Sequence, residues 1–122
     1  MKPVALSVAA LAIALTSAAA ANAQTNVVRV RTAGDLAEAC TANPRHTGGA
    51  ERLNFCDGFA QGAVDVELQH AGATKPFCLP PGTKREVTMH EFSGWVRANP
   101  SRASVDATTG LFRFLAERFP CK

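Results

Sequence analysis

Hydrophobic positions recur at helical spacing in four stretches of the chain. Thr32 and Asp35 stand three residues apart, as in a capping box, and open a first helix carrying Leu36, Ala37 and Cys40 on one face. Asn43 and Pro44 stop it, and a polar, glycine-containing loop follows to Ala50. A second helix is predicted from about Glu51 to Gln69, with Leu53, Cys56, Phe59, Ala60, Ala63 and Val64 in phase. Gly58 and Gly62 lie one turn apart on it. Each costs up to about 1 kcal/mol against alanine, which predicts the close approach of another helix over that face.

Between Gly72 and Gly82 three prolines forbid a helix, so the segment reads as a rigid connector. Thr83 and Glu86 form a second capping-box pattern. The third helix carries Val87, Met89, Phe92, Trp95 and Val96, and Asn99-Pro100 ends it. Residues 98–104 read as a short polar loop. A fourth helix starts near Val105, with Thr108, Thr109, Phe112, Leu115, Ala116 and Phe119 in phase, and Pro120 closes it. Asn26 to Arg31 alternates weakly and is read as an N-terminal arm rather than the alternative, a short strand, since no partner strand appears later.

The first residues change the setting. Lys2 precedes an apolar run from Val4 to Leu15, and Ala21-Asn22-Ala23 forms an A-x-A cleavage site. The run is shorter than the roughly 20 residues of a spanning helix. Residues 1–23 are therefore expected to be a cleaved signal peptide, and 24–122 a single domain in the periplasm, with no membrane segment after cleavage. A chain of that size buries only about 60–65% of its unfolded surface and gains from staples.

Cys40, Cys56, Cys78 and Cys121 supply them: an even number in an exported chain predicts two disulfides. Antiparallel packing would bring Cys40, late in helix one, beside Cys56, early in helix two. Cys78 precedes helix three and Cys121 follows helix four. Of the three connectivities, this arrangement favours Cys40–Cys56 with Cys78–Cys121. The expected architecture is all-α, a small four-helix domain of two helical hairpins stapled by those bonds.

Candidate chemistry is sparse. Paired cysteines are not nucleophiles, and the sequence has no closely spaced cysteine or histidine pair of the zinc type. It has no G-x-S-x-G turn and no glycine-rich phosphate loop. Neither an enzyme, a metal site nor a cofactor is expected. The precursor carries 13 Lys and Arg against 10 Asp and Glu, and loss of Lys2 with the leader takes the net charge from +3 to +2, too little for nucleic-acid binding. What remains is a surface for a protein partner. Trp95 belongs to the core by periodicity, with an interface anchor as the alternative.

An ordered set of motifs spans Leu36 to Cys121. It comprises Leu36-x3-Cys40, Cys56-x2-Phe59-x2-Gly62-x2-Asp65, Phe77-Cys78-Leu79-Pro80, Arg97-x2-Pro100 and Phe119-Pro120-Cys121. In these features the chain resembles the immunity proteins of type VI secretion amidase effectors, the Rap/Tai group. The resemblance implies a disulfide-stapled helical periplasmic protein, often a homodimer, that blocks the cleft of a cognate peptidoglycan amidase toxin with a protruding loop. On this chain the matching loop joins helices three and four, which makes Asn99, Ser101 and Arg102 the expected partner contacts. The alternative from a different class is a periplasmic acid or stress chaperone.

Overall fold

A computed structural model describes Met1 and residues 27–122. The predicted signal peptide lies outside the described residues, apart from Met1. Five helices follow in order: α1 Ala33–Cys40, α2 Gly49–Ala71, α3 Arg85–Arg97, α4 Pro100–Ala103 and α5 Ala107–Arg118. Among the described residues no strand forms, and Thr32 and Asp106 make one isolated antiparallel bridge. The all-α class and both disulfides agree with expectation. Cys40–Cys56 spans 5.1 Å between Cα atoms and Cys78–Cys121 spans 4.9 Å, inside the range a relaxed disulfide needs. All four cysteines are bonded.

An eight-residue helix, α1, is the centre of the molecule. α1 touches all four others, and its Leu36 is fully buried. Its start is fixed as the sequence predicts. Thr32 Oγ1 accepts from the Asp35 amide at 3.1 Å, and Asp35 Oδ2 accepts from the Thr32 amide at 2.9 Å and the Arg31 amide at 3.0 Å. Those backbone donors hold the Asp35 carboxyl below its ordinary pKa. The arm is tied down by two further bonds: Ala33 N–H donates to Val105 O at 2.8 Å and Ala107 N–H to Arg31 O at 2.9 Å. The starts of α1 and α5 are thus locked together.

Close packing against α1 depends on small residues. Ser93 of α3 is fully buried, with its Oγ 2.9 Å from Met89 O and 3.2 Å from Ala37 O, so its hydroxyl reaches across the α1–α3 seam without going unsatisfied. A Cβ on Gly110 of α5 would lie 2.6 Å from the Ala33 Cβ. Phe77, Phe92, Leu111 and Leu115 complete the core, and Phe77 anchors the connector against Phe112 at 5.9 Å between ring centres.

Four local expectations are corrected. Gly58 and Gly62 face open space, with no atom within 4 Å of an added Cβ on either; another helix approaches closely at Gly110 and Gly34 instead. Thr83 does not cap α3. Lys84 is the N-cap, because the Thr83 hydroxyl is engaged by the connector, donating to Pro80 O at 2.7 Å. The buried face of α5 is Ala107, Gly110, Leu111, Phe114 and Leu115, while Thr108 and Thr109 are exposed. Gly110 allows α5 to settle on Ala33, which turns the threonines outward. The fourth correction is α4: the expected loop between helices three and four holds a turn of helix.

Candidate partner-binding face

The segment 98–104 builds itself from its own side chains. Pro100 occupies the first turn of α4, where its missing N–H costs nothing. Asn99 is the N-cap: its Oδ1 accepts from the Ser101 amide at 3.1 Å and the Ser101 hydroxyl at 2.8 Å. Ser104 Oγ donates to Ser101 O at 3.2 Å and closes the turn. Asn99 and Ser101 are exposed, and Arg102 is half-buried.

Arg102 fastens this turn to the body. Its Nη1 donates to the Trp95 carbonyl at 2.8 Å, and its guanidinium carbon sits 4.1 Å from the centre of the Trp95 ring. The indole N–H donates to Glu117 Oε2 at 2.7 Å. Beneath, the Trp95 ring meets Phe92 at 6.3 Å and Phe114 at 5.9 Å between ring centres. Trp95 is half-buried: one side joins the core and the other carries the arginine. On the side of α4 toward α1, a groove of about 240 Å³ is lined by Gly34, Ala37, Val96, Arg97, Pro100 and Ala103.

All three residues expected from the sequence thus lie on one short, exposed element. Their side chains are more committed to holding that element than the sequence suggested. Glu117 was not among the expected contacts, and Trp95 was expected there only as the alternative to a core position. A signal for Trp95 was present, since it precedes Arg102 by seven residues, two helical turns if the chain stayed helical past Asn99-Pro100. Glu117 arrives from α5, and nothing in its local sequence points to α3.

The rest of the described surface offers little chemistry. Among the described residues no three His, Cys, Asp or Glu side chains gather as a metal site, and no helix is long and apolar enough to cross a membrane. His46, His70 and His90 are exposed, and His70 Nδ1 lies 2.9 Å from the Val66 carbonyl oxygen of its own helix.

No curated protein and no solved structure matches the chain. The family model of Rap1a immunity proteins matches residues 32–121, from the α1 cap to the last cysteine, and so takes in both disulfides and the α4 turn. The chain belongs to the family of Rap1a immunity proteins.

Proposed function

We propose that the protein is a periplasmic immunity protein that binds a type VI secretion peptidoglycan amidase and blocks its substrate cleft, with Asn99, Ser101 and Arg102 on α4 as contacts. Family membership supports effector immunity and a toxin as partner. The observation that carries the finer reading is the build of α4. It is a capped, exposed turn held by the Arg102–Trp95 stack. An element already ordered loses little entropy on binding and can exclude substrate without yielding.

Inhibition is steric in this reading. The turn fills the cleft, and the proline-braced backbone resists being pushed aside. No group on the chain takes part in bond breaking. Trp95 and Arg102 are of the residue types that most often dominate interface energy. Homodimer formation belongs to the same reading and is supported by apolar surface on α2, where Val66 is exposed beside half-buried Phe59.

The test uses the purified mature domain and a purified type VI secretion amidase offered as its cognate toxin. Peptidoglycan hydrolysis should stop at one equivalent of the domain. Replacement of residues 98–104 by a glycine-serine loop of equal length should restore hydrolysis while the helical circular dichroism persists. Full inhibition by the replaced domain would overturn the placement, and hydrolysis that continues in the intact complex would overturn the blockade.

A further inference from the structure

The two disulfides sit in opposite surroundings. Cys56 is buried and Cys40 half-buried, and the cleft beside them is lined by Asp57 and Glu86. Cys78 and Cys121 are both exposed. Their neighbours in sequence include Lys75 and Lys122, and the Cys121 Sγ lies 3.6 Å from the Lys75 carbonyl oxygen.

Thiol–disulfide exchange begins with attack by a thiolate, so access and local charge decide which bond opens. Arg85 pairs with Asp57 at 3.0 Å and leaves Glu86, among the described residues, as the unpaired carboxylate of that cleft, and the burial of Cys56 and half-burial of Cys40 restrict the approach of a thiolate to their bond. At Cys78–Cys121 both residues are exposed and the path is open, and the positive charge carried nearby in sequence by Lys75 and Lys122 favours negative sulfur. The Lys75 carbonyl has no proton to accept while the bond is intact. Once Cys121 is a thiol, its S–H has that oxygen as an acceptor.

We propose that Cys78–Cys121 is a thiol-exchange site, opened by a dithiol reductant in the folded protein while Cys40–Cys56 stays closed. One reductant thiolate attacks the Cys78 Sγ, forming a mixed disulfide and expelling Cys121 as a thiolate. That thiolate takes a proton from water. The second reductant thiol, deprotonated, attacks its own partner sulfur and releases Cys78, which is protonated in turn. The reductant leaves as a cyclic disulfide and the protein gains two thiols.

The connector has anchors besides the bond. Cys78 N–H donates to Phe119 O at 2.8 Å, and Phe77 is fully buried, so the connector stays docked after opening. The site is independent of the amidase reading.

The experiment treats the native protein with dithiothreitol, quenches aliquots with iodoacetamide and maps alkylation by peptide mass spectrometry. Cys78 and Cys121 should be labelled at least about tenfold sooner than Cys40 and Cys56, with far-ultraviolet circular dichroism unchanged at that point. Equal labelling of all four, or earlier labelling of Cys40 and Cys56, would overturn the proposal. Lys75→Glu should slow the opening severalfold at low salt, and an unchanged rate would refute the role given to charge. The Cys78→Ser/Cys121→Ser double variant should keep its helical signal; its loss would refute the claim that the fold persists.

Discussion

The guanidinium carbon of Arg102 sits over the Trp95 ring, 4.1 Å from its centre, and the same group donates to the carbonyl of that residue at 2.8 Å. One arginine therefore grips both the side chain and the backbone of one tryptophan. A stack of this kind contributes about 1 kcal/mol at a half-exposed site. Arg102→Ala should cost about that much stability, and the Trp95 fluorescence should shift to the red as water reaches the uncovered ring. Arg102→Lys keeps the charge but loses the planar contact, and should recover only part of the loss. Urea unfolding followed by tryptophan emission measures both effects, and an unmoved emission maximum in Arg102→Ala would contradict the stack.

Three glycines give a sharper test of packing. A methyl group on Gly110 would meet the Ala33 Cβ at 2.6 Å, in the seam that locks α5 to α1. Gly110→Ala should destabilise the domain by about 1–3 kcal/mol. Gly58 and Gly62 have no neighbour within 4 Å of an added Cβ and sit inside a long helix. Gly58→Ala and Gly62→Ala should each stabilise by up to about 1 kcal/mol. Thermal melts of the three variants decide this. Opposite signs at the two places are the required outcome.

That contrast shows where the sequence was legible. Helix boundaries marked by proline, asparagine and capping residues were read within a few positions, because those signals act locally. The disulfide pairing followed from the order of the helices. Which face of a helix is buried was harder. In α5 two threonines share a stripe with Phe112, and only contact with Ala33 reveals that Gly110 leads the buried side. On α2 the glycine pair looked like a packing seam, yet no helix covers it. Of the candidate face, Asn99, Ser101 and Arg102 stand in one segment and could be read together, but Glu117 reaches Trp95 from 22 residues away.

The α1 cap makes stability depend on acid. The Thr32 amide foremost, and then the Arg31 amide, stabilise the charged form of Asp35 and lower its pKa from the ordinary 3.8. The folded value lies below the unfolded one, so the contribution is complete above about pH 3.8 and is lost as pH falls through the lower folded value. Asp35→Asn removes that dependence. The stability gap between the natural protein and Asp35→Asn should therefore be constant at neutral pH and narrow below pH 3.8. Urea titrations at a series of pH values measure the gap; a gap that widens in acid would reverse the sign argued here.

Asn99 is the residue whose loss should separate binding from folding. Its side chain caps a four-residue helix from which no side chain is fully buried, so the global core does not feel it. Capping of this kind is worth about 1 kcal/mol, and here that energy holds one turn rather than the domain. Asn99→Ala should leave the melting temperature nearly unchanged. The Ser101 and Arg102 amides should exchange with solvent several times faster, since local opening sets their protection. If α4 is the element a toxin reads, affinity should fall in step with that faster exchange, because the turn must be re-ordered on every encounter. Hydrogen exchange and titration against the cognate toxin can be run on the same variant. Faster exchange with undiminished affinity would place the contact elsewhere on the molecule, while slower binding with exchange unaltered would make Asn99 a direct contact rather than a brace.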